Sequence, residues 1–372
     1  MRERERERLK ALDQHTSLGG NVSRFQDGLD VREIAEGSPF IDLEHPVDVY
    51  EAVKMVLMAP VALVRLLLAF VTVVVAWCLL HVLMVGHDVA EPMAPWRYRM
   101  VAMLIGTGSR VLMFIVGFYH IKVKGRENLE KAKKEHSILV FNHVSYADPV
   151  LLLTQYQACG VSKAGVAEIP FIGKFPIALQ FMFIARKGSA DKLNKYTLKV
   201  DAQRAVLDRC WRKEYPLLAM APEATTKPGE CLLRFRKGAF VPGRAVSPVL
   251  FKYDCEHFHV GWGAVHTGFH VWRLLSQFVN KVSIEFLPPY FPSAEEKKDP
   301  ILYAANVRKL MGGKLGVPLV EKGLDEEHMF NRLGVRVDIW GRRVVYGMID
   351  SNKSSSSSSS SSMVTSVDKK QG

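Results

Sequence analysis

Between Pro60 and Val85 the chain carries one charged residue, Arg65, among stretches such as Leu66-Leu67-Leu68-Ala69-Phe70-Val71. A helix of that length spans a bilayer's hydrocarbon core of about 30 Å, and few soluble folds bury one so apolar. Met100 to Phe118 is a second apolar stretch, interrupted by Gly106, Gly108 and Arg110. It reads as a second span or a re-entrant helix, and Gly86 to Arg99 between the two, with Pro92, Pro95 and Trp96, reads as a turn. The apolar share of the whole chain, 48%, is concentrated here, so residues 51–119 are assigned to a membrane-embedded helical region. Mostly polar residues precede it, and a signal peptide is not expected.

The formal net charge is +12. Lys122, Lys124, Arg126, Lys131, Lys133 and Lys134 follow the second apolar stretch closely, which favours the cytosolic side for everything after it. Further cations at Lys163, Lys174, Lys187, Arg234 and Arg236 suit anionic lipid or phosphate groups. No helix-turn-helix, zinc or RNA-binding pattern accompanies them, so nucleic acid is not the expected partner. The five cysteines (78, 159, 210, 231 and 255) are widely spaced with no Cys-x-x-Cys, which implies neither a disulfide frame nor a zinc site.

Beyond residue 120 strand signals recur at Val123, Ile138, Phe181, Leu217, Val249 and Ile284, with helical stretches at Asp191–Arg212 and Ala264–Asn280. That alternation predicts an α/β domain, a mixed sheet flanked by helices, over residues 120–320. Phe269, Trp272 and Phe278 are assigned to its core. Residues 1–50 are expected to be mostly unstructured, since Arg2-Glu3-Arg4-Glu5-Arg6-Glu7-Arg8 places like charges four apart. Residues 321–372 form a weakly patterned extension whose serine run, Ser354 to Ser362, has nothing to bury.

The chemistry concentrates where Ile138-Leu139-Val140-Phe141 ends. Asn142 is followed by His143-Val144-Ser145-Tyr146-Ala147-Asp148-Pro149. Asp-Pro is a helix-start signature, so His143 and Asp148 share one strand-to-helix turn at a strand's carboxyl end, where α/β sheets carry their sites. A neutral imidazole is a base near pH 7, and a carboxylate behind it fixes its tautomer. The spacing alone is a weak signal, equally met by a capping Asp148 and a polar strand-end His143. Three other apolar runs also finish in polar residues: Phe181 to Arg186, Leu217 to Thr226 and Ser247 to Lys252. One sheet edge would then gather His143, Asp148, Arg186 and Glu223; individually, Arg186 also reads as a solvated strand end and Glu223 as a turn residue.

In order along the chain, Asn142 to Asp148, Phe183-Ile184-Ala185-Arg186, Pro222-Glu223-Ala224-Thr225 and Ser247-Pro248-Val249 resemble the motifs of the glycerolipid (1-acylglycerol-phosphate type) acyltransferase family. Leu232 to Gly243 and Glu285 to Arg308 look most like its lysophosphatidylcholine and lysophosphatidylethanolamine acyltransferases, and the likeness covers roughly residues 50–320. It implies transfer of a fatty acyl group from acyl-coenzyme A to the free hydroxyl of a lysophospholipid. His143 would be the general base steadied by Asp148, and Arg186 and Glu223 would bind the acceptor, with Thr225 and Lys237 adding contacts. A guanidinium suits the acceptor's phosphate. Glu223 would be repelled by that phosphate and better suits a hydroxyl or Arg186 itself. Amides at the helix start after Asp148 would meet the thioester oxyanion. No metal or bound cofactor is expected; acyl-coenzyme A is a co-substrate. The chain departs from the family at Ala224, where the motif has glycine, which matters if that position requires positive φ.

The rival readings are acylation of lysophosphatidic acid or glycerol-3-phosphate, a catalytically silent lipid-binding membrane protein, and a metal-dependent hydrolase. The last lacks a further ligand near His143 and Asp148. Lys369-Lys370-Gln371-Gly372 looks like a dilysine retrieval signal of the endoplasmic reticulum, which agrees with a membrane location and a cytosolic catalytic domain.

Overall fold

The computed structural model describes residues 38–89, 91–184, 202–228, 230–332 and 334–346. A short helix, α1 (Val49–Leu57), is joined through Met58 to α2 (Ala59–Leu83), and a turn leads to α3 (Pro95–Ile115). Then come β1 (Ile121–Lys124), α4 (Arg126–Glu135), β2 (Ile138–Phe141), α5 (Ala147–Leu153), β3 (Cys159–Lys163), α6 (Lys174–Ala178), β4 (Met182–Ile184), α7 (Ala202–Trp211) and β5 (Leu218–Met220). The chain continues with β6 (Val246–Asp254), α8 (Thr267–Leu275), β7 (Lys281–Phe286), α9 (Ala294–Lys298), α10 (Pro300–Leu315), α11 (Leu324–Arg332), β8 (Val335–Val337) and β9 (Val344–Tyr346).

Seven strands form one sheet in the order β1-β7-β6-β2-β5-β3-β4. Every neighbouring pair is parallel except β6 with β7, so the sheet is mixed, as the alternation of strand and helix signals predicts. β2 lies at its centre and is buried on both sides, the environment that allows four consecutive apolar residues. Leu139 and Phe141 enter one core layer with Val249, Phe251 and Ile284, while Ile138 and Val140 enter the other with Leu250, Tyr303 and Val307. Six strands coincide with the sequence signals. β3 was not foreseen: Cys159-Gly160-Val161-Ser162-Lys163 has no apolar run, and Gly160 leaves room for the Phe181 ring, which would lie 2.7 Å from an added Cβ.

α2 and α3 are each long and apolar enough to cross a membrane, and little of their most apolar windows is buried. They also lie against the α/β domain along their length. Ala62 enters the main core, the Phe171 ring lies 6.0 Å from Phe70 and 5.3 Å from Trp77, and Leu80 and Met84 pack with Ile177, Leu179 and Phe183. Arg65, the charge in the apolar run, is buried: Nη1 donates to the carbonyls of Leu275 and Gln277, both at 2.6 Å, and Nη2 to the Tyr119 hydroxyl at 2.6 Å. The charge is therefore a clamp between α2 and the segment following α8.

α1 is inverted relative to a water-facing helix. Glu51 and Lys54 face inward as an ion pair, and Lys54 Nζ donates to Gln277 Oε1 at 2.7 Å, while Val49, Tyr50, Val53, Val56 and Leu57 are exposed. Of residues 1–50, expected to be mostly unstructured, 1–37 lie outside the described residues, while Phe40 and Val47 are buried and Phe40 packs edge-on against Phe330, with ring centres 6.0 Å apart. The weak pattern beyond residue 320 hides α11 and the β8–β9 hairpin, whose Phe330 and Val335 share a core with Phe40. The helical stretch at 264–280 is shorter than expected, and Phe278 is exposed rather than part of the core. Of the helix expected at Asp191–Arg212, residues 191–201 lie outside the described residues.

Candidate active site

Asn142 ends β2 by clamping the neighbouring strand: its Nδ2 donates to the Phe251 carbonyl at 2.9 Å and its Oδ1 accepts the Phe251 amide at 2.8 Å. His143 follows, held through its own main chain, since its amide donates to Glu223 Oε1 at 2.8 Å. The turn 143–146 then folds over Asp148. Oδ2 of that fully buried carboxylate accepts His143 Nδ1 at 2.9 Å, the Val144 amide at 2.7 Å and the Ser145 amide at 2.8 Å. The Tyr253 hydroxyl, rising from β6, donates to Oδ1. Asp148 is thus not the helix cap; α5 begins at Ala147, and the carboxylate organises the preceding loop.

His143 alone of the pair reaches solvent, with 21% of its side chain exposed. With Nδ1 on the carboxylate, Nε2 is left as the ring's second nitrogen. Its neighbours in sequence, Asn142 and Val144, line a cavity of about 120 Å³ together with Lys252, Tyr253, Glu230 and Leu315; His143 is not among the lining residues. Ser145 is fully buried and its Oγ accepts the Ala147 amide at 3.2 Å, which removes it as a nucleophile. The amides of Val144 and Ser145 serve Asp148, that of Ala147 serves Ser145 Oγ and that of Asp148 the Ser145 carbonyl, while Pro149, the first residue after Asp148, has none.

Glu223 stands beside His143 because β5 pairs with β2 and the chain turns immediately after β5. It is fully buried, and Oε2 accepts both Lys227 Nζ and the Leu233 amide, the latter at 2.8 Å. Both oxygens therefore serve the protein. The geometry makes Glu223 an anchor beneath His143. Ala224 has φ of 61°, the left-handed conformation for which the family's glycine is suited. Thr225 is buried, with Oγ1 donating to the Thr226 carbonyl at 3.3 Å. Lys237 is exposed on a single 3-10 turn, Lys237–Ala239. Arg186 lies outside the described residues; β4, which leads to it, is the edge strand, separated from β2 by β5 and β3. Parallel strands send the carboxyl ends of β2, β3, β4, β5 and β6 to one sheet edge, as expected.

A third brace was not anticipated. The Tyr146 hydroxyl is 3.0 Å from His270 Nδ1, and His270 Nε2 is 3.2 Å from the His259 carbonyl and 3.0 Å from that of Gly261. Burial pushes His270 down to about 4, so the neutral ring donates through Nε2 and accepts from Tyr146 through Nδ1. The Trp262 main-chain amide donates a hydrogen bond to the Val144 carbonyl at 3.0 Å. Tyr253 and His270 have no signature in local sequence, since each acts across more than 100 residues; only the Val249-Phe251-Tyr253 alternation hints that a hydroxyl shares the face of β6 that packs toward the turn. Among the described residues no three His, Cys, Asp or Glu side chains are placed to share a metal ion.

Residues 120–251 match the protein family described as Acyltransferase. The chain is 33% identical over 245 residues to the lysophospholipid acyltransferase LPEAT1 of Arabidopsis thaliana, covering 60% of this chain and 61% of that protein. It is 35% identical over 267 residues to human lysophosphatidylcholine acyltransferase 1, covering 69% of this chain and 47% of the relative. The chain thus spans about half the length of most curated relatives it matches. The crystal structure of the 1-acyl-sn-glycerophosphate acyltransferase PlsC from Thermotoga maritima superposes with a TM-score of 0.49 at 18% identity, covering 71% of this chain and 98% of that one.

Proposed function

Since this chain carries a domain of the acyltransferase family and is similar over most of its length to lysophospholipid acyltransferases, we propose that it moves a fatty acyl group from acyl-coenzyme A to the free hydroxyl of a lysophospholipid, with lysophosphatidylcholine or lysophosphatidylethanolamine favoured. One observation carries the chemistry: His143 Nδ1 is bound to a buried carboxylate at a strand's carboxyl end, and the same ring reaches solvent. The acceptor's hydroxyl proton passes to Nε2 while its oxygen attacks the thioester carbonyl carbon. The carbon–sulfur bond then breaks, and the departing thiolate takes the proton back from the imidazolium. A base placed in this way contributes about 10²–10⁴-fold.

Asp148 steadies the tautomer and the imidazolium, as the carboxylate does behind the histidine of a Ser-His-Asp triad. Arg186 is assigned to the acceptor's phosphate, with Thr225 and Lys237 nearby in the motif order, and Glu223 to holding His143. The exposed apolar faces of α2 and α3 support membrane association. The basic stretch after α3 supports a cytosolic catalytic domain.

His143→Ala in the full chain is expected to abolish release of coenzyme A thiol and product formation in isolated membranes, at normal abundance. Near-normal turnover would reject His143 as the base. A panel of lysolipids bearing choline, ethanolamine, serine, inositol or bare phosphate heads, offered with labelled oleoyl-coenzyme A, tests the acceptor; preference for the bare phosphate would move the assignment to lysophosphatidic acid.

A further inference from the structure

We propose that Tyr253 is a positioning residue that sets both the orientation and the basicity of the His143–Asp148 pair; this rests on the reading of His143 as the base. The two oxygens of Asp148 are served unequally. The imidazole and two main-chain amides all meet Oδ2, so the turn by itself holds one oxygen and leaves the other. The terminal torsion of an aspartate is soft. The donor at Oδ1 is the Tyr253 hydroxyl, which therefore fixes the plane of the carboxylate and keeps Oδ2 on the ring.

The hydroxyl is delivered by the sheet, not by a mobile loop. Tyr253 pairs with Val282 across β6 and β7, shares a core layer with Val249 and Phe251, and sets its ring edge-on to Phe118, with centres 6.3 Å apart. Its neighbours Lys252 and Asp254 are exposed. The Asn142 clamp grips Phe251, two residues before Tyr253, so the strand that carries the donor and the turn that carries the acceptor are held in register. Burial, reinforced by the charge of Asp148, raises the pKa of Tyr253 well above its ordinary value, so it remains a donor at any working pH.

A hydrogen bond to a carboxylate draws charge away from its partner oxygen. Removing the Tyr253 hydroxyl leaves more charge facing Nδ1 and raises the affinity of His143 for a proton. The base is then protonated, and idle, up to a higher pH. With Oδ2 still held by the turn but Oδ1 released, the carboxylate plane and the ring it carries are less firmly oriented, which slows the chemical step without touching either substrate.

The test is Tyr253→Phe in the full chain in membranes, with kcat, both KM values and the pH profile of kcat/KM measured. The expected result is a fall in kcat of about tenfold, the factor that corresponds to roughly one hydrogen bond, with both KM values unchanged and the acid limb moved to higher pH. Replacing Tyr253 by 3-fluorotyrosine makes the phenol a stronger donor at almost unchanged shape, and the acid limb is then expected to move to lower pH. This second protein carries the test if the Phe variant does not accumulate. An acid limb that stays in place in the proteins obtained, even with lowered thermal stability, overturns the inference and leaves Tyr253 a core residue. His143→Ala, assayed alongside, separates the two claims. If it is inactive while the Tyr253 proteins keep the original profile, the positioning role alone is lost; if it is active, the base assignment and this inference fall together.

Discussion

Glu223 and Lys227 are both fully buried, and their contact puts a full charge pair under the His143–Asp148 turn. Ion pairs in such places contribute little net stability but are costly to break, because the remaining charge has no partner. Glu223→Gln keeps the shape and strands the Lys227 ammonium, so a loss of about 3–5 kcal/mol is expected, read as a lower melting temperature in detergent. Glu223→Gln combined with Lys227→Met removes both charges and is expected to recover most of that loss; failure to recover would mean that the bonds to the His143 and Leu233 amides, not the charge, are what Glu223 supplies. Ala224 is an independent case. A left-handed Ala costs about 1 kcal/mol relative to Gly, so Ala224→Gly is expected to raise stability by up to that amount while leaving kcat unchanged, measured by melting and turnover on one preparation. If turnover rises instead, the family's glycine matters for substrate approach.

At the scale of elements, α8 links distant parts of the molecule. Its amino-terminal half offers His270 to Tyr146 on the His143–Asp148 turn, and its other end gives Arg273, with Gln277 just beyond it, to the inward face of α1. His270 titrates near 4 when folded and near 6.5 when unfolded, so between those values the unfolded chain binds a proton that the folded one refuses. Stability contributed at neutral pH is therefore lost as pH falls from about 6.5 to about 4, by on the order of 3 kcal/mol. Melts between pH 4 and 7 are expected to show that slope in the parent and a flatter one in His270→Gln; equal slopes would place the acid sensitivity elsewhere. These links also mark the limit of what local sequence reveals. The His143–Asp148 turn was legible because six consecutive residues contain it and an apolar strand introduces it. β2 was legible because it is buried on both faces, and β3 was not, because a neighbouring Phe181 ring over Gly160 replaces side chains that would have signalled a strand. Tyr253 and His270 were not legible because only the sheet order brings β6 and α8 to the same turn. Phe278 lies outside the core because an aromatic at helical spacing belongs to it only if the helix continues that far, and α8 stops at Leu275.

For the whole molecule the question is how a helix of 25 residues, about 38 Å long, relates to a domain that it touches from one end to the other. Ala62 enters the core beneath Phe118, Phe70 and Trp77 flank Phe171 halfway along, and Leu80 and Met84 pack on Ile177 and Phe183. Were α2 to stand across the bilayer with the domain outside, its middle would be surrounded by lipid, and the polar α/β domain could not reach Phe171 to Trp77 without entering the hydrocarbon. The packing is instead satisfied if α2 and α3 lie as a hairpin in one leaflet, apolar faces outward and the domain against their other side. The loop that carries Ile169, Phe171 and Ile172, all exposed, then meets lipid as well. This arrangement puts the turn between the helices on the same side of the membrane as the catalytic domain. With Cys78 and Cys255 replaced by serine, a cysteine at Val89 in that turn and one at Lys314 on α10 are both expected to react with a membrane-impermeant maleimide added outside sealed microsomes. A cysteine at Leu67, on the exposed face of α2, is expected to resist it. Labelling at Val89 only after the vesicles are opened would show that α2 crosses, and would require the contacts of Phe171 with Phe70 and Trp77 to be rearranged in the membrane. Labelling of Leu67 from outside would remove the helix pair from the bilayer altogether.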